Sequence, residues 1–387
     1  MKSITVLVLF CLLSVMAVGV VNAPAEDGAG KPVNTPVDPT KIKDIKAYCL
    51  DFNWGGRRSF ARPGTWASAD PAEHVAWYKA IGANVIQTFA VSCNGYAWYK
   101  NGVVPEQPGL KHDFLTEVVR LGHKEGMLVV GYFCVGANTK WGKDRPDLSY
   151  GTPSTYHIPY TDEYLAYLSR SVSDAVRKTG IDGIMLDWVW QPKRASTKGK
   201  WLACEKKLYA KLMGETFPKE GKLSKEQDVA YGRKAIDRCW KAIRKAAKDA
   251  NPKCIIWLTS NHTTHPHVVN SDMYKETDWL MNEAGDIKRV KAVKSMVGKH
   301  TRLITCLARW NRQDATKVVP EALTEGIGLY GFAKPGRNSL LPLERLLKRP
   351  VSELKGDDRN IAVLARAYHG AAIDTVQNDK GRFVKLK

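Results

Sequence analysis

The chain is short of acids. It has 39 Asp and Glu against 59 Lys and Arg, which gives a formal charge of +20 over 387 residues. It also lacks several chemical signatures. None of its cysteines has the CxxC spacing of a zinc site. The first strand-to-helix loop, Asn53 to Arg58, lacks the GxGxxG spacing of a dinucleotide cradle, which argues against an open, doubly wound sheet. His262, His265 and His267 lie in a Thr- and Pro-containing loop, without the even spacing on one element that a metal site wants. After the first 25 residues no stretch is long and apolar enough to span a bilayer. No internal repeat is visible. These absences leave no call for a metal or other cofactor, and none for nucleic acid as a partner.

Residues 1–25 have the layout of a secretory signal. Lys2 is the charged start, Ile4 to Val21 the apolar core, and Ala23-Pro24-Ala25 the small-residue cleavage site. The expected location is secreted or periplasmic, with no stable membrane insertion once the signal is removed. Residues 26–41, rich in Pro, Gly, Ala and Asp, read as a flexible leader. Eight cysteines less Cys11 in the signal leave seven, so at least one is unpaired. Export permits a disulfide, and Cys204 with Cys239 is the first pair to test.

From residue 42 to 370, short β-rich runs alternate with helical periodicity. The expected strands are 46–52, 84–91, 127–134, 183–187, 253–260, 278–282, 302–308 and 328–333. The expected helices are 71–82, 113–126, 162–180, 227–250, 286–298, 314–325 and 359–368, with a short one near 267–274. Asp70 is a cap for the first helix, Pro71 its first residue and Gly82 its stop. Eight strand-helix units close naturally into a single-domain (β/α)8 TIM barrel in the α/β class. Residues 371–387 read as a C-terminal tail.

In such a barrel, chemistry gathers where the strands end. Those ends carry Asp51, Asn53 and Trp54; Asn94 and Tyr96, with Trp98 beyond; Asp187, Trp188 and Trp190; Asn261 and His262; Glu283; Arg309 and Trp310; and Lys334. The strand beginnings are blander, and Asp182 and Asp278 there read as structural. IDGIMLDWVW is an apolar run that stops at Asp187 and then shows two indoles, and DWLMNEAG repeats the design with Glu283. Two carboxyl groups flanking one bond are what glycoside hydrolysis needs. One protonates the leaving oxygen, and the other attacks carbon or activates water. Asp187, short and set at a strand end, suits the nucleophile; Glu283, longer, suits the acid/base. Asp51 competes for the second role, with substrate hydroxyl binding as its other reading. The bland alternatives are a helix cap or an ion pair: Asp187 with Lys193 or Arg194, and Glu283 with Lys288.

Trp54, Trp98, Trp188 and Trp310 are candidates for stacking on a sugar. Arg57, Arg58, Arg309, Lys334 and Arg337 are candidates for sulfate or carboxylate groups of an anionic polysaccharide. A barrel that binds carbohydrate without cutting it would use the same aromatic mouth.

The stretch NGYAWYKNGVVPEQPGLKHDFLTEVVRLGHKEGMLVVGYFCVG, followed by IDGIMLDW, resembles bacterial barrel glycoside hydrolases related to the α-L-fucosidases, and a group known only as hypothetical glycosyl hydrolases. The resemblance runs from Lys46 to Trp190. In retaining α-fucosidases and α-galactosidase-like barrels an Asp nucleophile ends the fourth strand, which corresponds to Asp187. In the α-galactosidase-like clan the acid/base follows the sixth strand, which points to Glu283. Two features depart from these families: the paired histidines that hold fucose have no match, and the clan usually carries Asp where Glu283 stands. What the resemblance implies is an exported, retaining hydrolase of an α-linked sugar, with L-fucose in an extracellular, sulfated polysaccharide as the leading candidate.

Overall fold

The computed structural model describes residues 37–56, 59–151, 157–189, 199–260, 263–336 and 339–385. The signal, most of the leader, Arg57, Arg58, Trp190, Lys193, Arg194, Asn261, His262 and Arg337 lie outside them.

Eight parallel strands form a closed barrel. They are β1 (Lys46–Leu50), β2 (Val85–Val91), β3 (Leu128–Cys134), β4 (Gly183–Asp187), β5 (Ile255–Ser260), β6 (Trp279–Asn282), β7 (Arg302–Leu307) and β8 (Gly328–Ala333). Each pairs with the next, and β8 returns to β1 through Lys46–Leu329 to Leu50–Ala333. The fold is therefore a (β/α)8 barrel, as the alternation of patterns implied. β2 and β3 are buried along their whole lengths, which is why neither alternates regularly between apolar and polar residues.

The outer helices begin and end where their caps dictate. Helix α1 (Pro71–Ile81) starts at Asp70, whose carboxylate accepts from the amides of Ala72 and Glu73, and stops at Gly82 with φ 82°. Helix α2 is Phe114–Lys124 and α3 is Thr139–Asp144. Helix α4 (Asp162–Thr179) is capped by the Thr161 hydroxyl. After α5 (Ala203–Met213), α6 (Lys225–Ala250) opens with a reciprocal box between Ser224 and Gln227. Then come α7 (Asp272–Glu276), α8 (Ile287–Ala292), α9 (Ala315–Thr324), α10 (Leu343–Leu347) and α11 (Gly356–Tyr368).

At the amino ends of the strands two carboxylates perform the same structural task. Asp182 accepts from Val129 N at 2.7 Å and meets His123 Nε2 at 2.9 Å. Asp278 accepts from Ile256 N at 2.8 Å and meets Lys248 at 3.0 Å. Each ties its strand to the preceding one at the end opposite the candidate site.

Some expectations need correction. Helix α8 stops at Ala292, well before Gly298. Helices α3, α5 and α10 lie in segments read as loops or insertion. The supposed tail holds a hairpin, Thr375–Gln377 with Phe383–Lys385. Buried Arg366 anchors it, donating to Thr375 O at 2.8 Å and lying 5.5 Å from the Phe383 ring. Cys204 and Cys239 are both free thiols, as are the other five cysteines of the described residues. Cys239 is fully buried on α6, where it acts as a small apolar side chain.

Candidate active site

Asp187 ends β4, and its carboxylate is held on both oxygens. Tyr132 of β3 donates its hydroxyl to Oδ2 at 2.7 Å, and the Trp188 amide donates to Oδ1 at 2.8 Å. The second bond needs an unusual backbone: Trp188 sits at φ 59°, a left-handed conformation that costs a side chain roughly 1–2 kcal/mol. The surroundings hold it there. Tyr160 donates to Trp188 O at 3.0 Å, and His157 stacks on the indole with centroids 5.1 Å apart. Gly136 lets the segment approach, since a Cβ there would stand 2.7 Å from Trp188 O.

Glu283 follows β6 in a tight turn, fixed through its backbone. Asn311 donates to Glu283 O at 3.1 Å and to Cys306 O at 2.7 Å. Asn282 accepts from Ala284 N at 3.0 Å. The turn closes at Gly285, where φ is 67° and a Cβ would stand 2.2 Å from Cys306 O, so only glycine fits.

Asp51 and Asn53 follow β1. Asp51 Oδ1 accepts from Asn53 N at 2.8 Å, while its Oδ2 is buried without a hydrogen bond. Asn53 is a strut, its Oδ1 accepting from Cys93 N at 2.8 Å. Trp54 packs on Phe60 across a small hairpin, Trp54–Gly56 with Ser59–Phe60.

These three strand ends meet at one cavity of about 300 Å³. Asp51, Asp187 and Glu283 line it together with Asn53, Trp54, Trp188 and Trp310. Trp310 is half exposed at the rim and stands edge-on to Phe332, with centroids 4.4 Å apart. Tyr330 also lines the cavity and packs edge-on against buried Trp257, so the wall continues into a solid aromatic interior.

All three carboxyl groups line the cavity; Asp51 is almost fully buried, and Asp187 and Glu283 are partly buried. Burial, and then the charge of Asp187, push Glu283 up to about 8. Burial also raises Asp187 to about 6, against the lowering effects of Tyr132 and the Trp188 amide. Asp51 rises to about 7 by burial, opposed by the Asn53 amide, the charge of Lys334 and the Trp54 amide, with the charge of Asp187 adding a little to the rise. Tyr132 is pushed well above its ordinary value, by burial first and Asp187 second, so it stays a neutral donor.

Not every candidate reaches the cavity. Asn94 is spent internally: its amide exchanges hydrogen bonds with Gln107 at 3.2 and 3.4 Å, and its Oδ1 also accepts from Tyr96 N. Tyr96 lies beyond it, away from the cavity lining. Both were placed at the mouth because they follow β2, but that loop turns back at Gly95. Trp98 is buried, donating to Ser92 Oγ at 2.7 Å and packed on Phe52. Arg309 and Lys334 are exposed outside the lining, and their charges act on Asp357 and Asp51 respectively. His267 meets Asp228 at 3.0 Å. Among the described residues no cluster of three or more His, Cys, Asp and Glu could hold a metal ion.

Tyr132, Gln87, Tyr330, Cys49 and Cys93 also line the cavity, from inside the strands or just past them, beyond the strand-end candidates. Gln87 carried a signal: it is a polar residue in the middle of the apolar run VIQTFAV. It accepts from the Tyr330 hydroxyl at 2.8 Å.

The family described as Hypothetical glycosyl hydrolase 6 matches residues 70–188, a stretch that ends one residue past Asp187. No curated protein matches the sequence. Among solved structures, the chain is similar to α-L-fucosidase isoenzyme 2 from Paenibacillus thiaminolyticus, with a TM-score of 0.61 and 16% identity over 84% of this chain and 49% of that one. It is also similar to a β-galactosidase from Bacillus circulans, with a TM-score of 0.53 and 12% identity over 85% of this chain and 56% of that one. The chain thus spans about half the length of these two proteins. At such identities the likeness establishes the barrel fold, and the family match supports a glycoside hydrolase.

Proposed function

We propose that this protein cleaves glycosidic bonds with Asp187 as nucleophile and Glu283 as acid/base. The observation that carries the reading is that both acids line one cavity, with the charge of Asp187 raising the proton affinity of Glu283. Near neutral pH this favours an ionised Asp187 beside a protonated Glu283, the division of labour that the first step needs.

In that step Glu283 gives its proton to the leaving oxygen while Asp187 attacks the anomeric carbon. Asp187 is stiffly held by two hydrogen bonds, which suits in-line attack. Glu283 then removes a proton from a water that displaces the carboxylate, and the sugar leaves with its anomeric configuration retained. Trp54, Trp188 and Trp310 give aromatic faces for the sugar ring. The sugar is α-linked in this proposal. L-fucose is the first candidate because of the resemblance to the fucosidases and the name of the Paenibacillus neighbour.

The enzyme would act outside the cell, through the signal in residues 1–25. An anionic polysaccharide suits the +20 formal charge, its acidic groups meeting surface cations such as Arg309 and Lys334 rather than the carboxyl-lined cavity.

The test is a panel of aryl α-glycosides, starting with 4-nitrophenyl α-L-fucoside, with proton NMR of the freshly released sugar. Release of the same anomer supports retention, and the opposite anomer overturns the nucleophile role of Asp187. Saturable binding of sugars without release from any substrate would make the barrel a binding module.

A further inference from the structure

The cavity holds one carboxyl group more than a two-acid hydrolysis uses. Asp51 is only 1% exposed, and its Oδ2 makes no hydrogen bond. Oδ1 is satisfied by the Asn53 amide, so the side chain is fixed in place with one acceptor left over. It shares the cavity with Asp187 and Glu283, and among the described residues no Lys, Arg or His lines that space. Lys334 acts on Asp51 by its charge from outside the lining.

A buried carboxylate with an open acceptor is costly unless something arrives to compensate it. Protonation and the charge of Lys334 offset part of that cost, and a donor that arrives with the ligand would offset the rest. A neutral hydroxyl would satisfy the hydrogen bond but leave the charge. An anionic substituent would be repelled by the ionised carboxyl groups of the cavity, Asp187 first. An ammonium group does both tasks, giving a charge-assisted hydrogen bond of about 2.7–2.9 Å and a counter-charge. Trp54 and Trp188 line the same cavity, and indoles are the best aromatic partners for a cation.

We propose that the cavity takes a sugar unit bearing a free amino group, and that Asp51 selects it by pairing with the ammonium. The assignment deepens the function proposed above and rests on the reading of this cavity as a sugar site. It places amino sugars whose nitrogen is not acetylated ahead of L-fucose, the first candidate above. N-acetylation removes the charge and adds bulk, so the acetylated sugar should be the poorer ligand.

The experiment compares galactosamine and glucosamine with their N-acetyl forms and with galactose, glucose and L-fucose, by tryptophan-fluorescence titration at pH 7. The expected result is at least a tenfold preference for the amines, which falls to within about twofold in Asp51→Asn. Equal or tighter binding of the neutral or acetylated sugars by the unaltered protein overturns the proposal, and that comparison stands even if the variant fails to fold. The corresponding aryl glycosides are assayed for release in parallel. Cleavage of neutral glycosides without an amine preference overturns the Asp51 assignment alone. Amine-selective binding without cleavage keeps Asp51 and overturns the hydrolase reading.

Discussion

The Tyr132 hydroxyl donates to Asp187 Oδ2 at 2.7 Å, joining two adjacent barrel strands at the point where the proposed chemistry begins. This bond lowers the proton affinity of Asp187, which burial has raised. Tyr132→Phe removes the donor and leaves the ring packed on Phe89. Asp187 should then hold its proton to higher pH. The acid limb of the kcat/KM profile is expected to move toward neutral pH, with kcat lowered about tenfold. An unmoved acid limb would dissociate Tyr132 from the nucleophile.

In the proposed mechanism the two acids set the whole profile. Asp187 must be ionised to attack, so activity rises as pH passes about 6. Glu283 must be protonated to assist departure, so activity falls as pH passes about 8. The expected bell has its maximum near 7. Asp187→Asn should lower kcat by about 10³-fold or more while leaving the circular dichroism unchanged. It should also lower the affinity of Glu283 for its proton, because the negative neighbour has gone. A carbon-13 titration of Glu283 in that variant, compared with the unaltered enzyme, reads this directly.

Glu283→Ala should show the signature of a lost acid. Aryl glycosides with good leaving groups should lose less rate than those with poor ones, for which the loss is about 10²- to 10⁴-fold. A uniform loss across leaving groups would mean that Glu283 positions the substrate instead of donating a proton.

The barrel and two of its acids were legible because they produce local signals. A strand that ends at a carboxylate is visible in GIMLDW, and so is the helix cap at Asp70 followed by Pro71. Tyr132 was not, because a strand buried on both faces shows no alternation to say which side chains turn inward. Its inward orientation follows only from its partner: Cys134 stands beside Asp187 in the register, which puts Tyr132 one inward step below. Asn94 failed for the opposite reason. It is a polar residue after a strand, but Gly95 bends the loop so that the amide meets Gln107. Chain order cannot show whether a loop faces a cavity or folds over the shoulder of the barrel.

Trp188 combines a contact surface with a strained backbone, and the two can be separated. Trp188→Ala keeps the strain at φ 59° and loses the indole, whereas Trp188→Gly loses both. Glycine is normally the less stable choice, but here Trp188→Gly should be about 1 kcal/mol more stable than Trp188→Ala. Both should raise KM if the indole carries the sugar. Urea denaturation of the pair checks the first point, and equal or reversed stability would show that the conformation is not held under strain.

Asp51, Asp187 and Glu283 have proton affinities raised in the folded chain to about 7, 6 and 8. The unfolded chain returns them to their ordinary values near 4. The folded state therefore binds more protons than the unfolded state between those limits, and stability falls as pH rises through them. The contribution is fully present below about 4 and is lost for Asp51 as pH passes about 7. Asp51→Asn removes this loss while keeping an acceptor for the Asn53 amide. At pH 9 the variant should exceed the unaltered protein in stability by on the order of 2 kcal/mol, and at pH 4.5 the gap should close. The substitution would then trade ligand selectivity for stability, the balance expected of a buried acid kept for binding. Denaturation curves at the two pH values decide it: a variant less stable at pH 9 would mean that Asp51 already has a partner in the folded chain, and the case for an arriving ammonium would go with it.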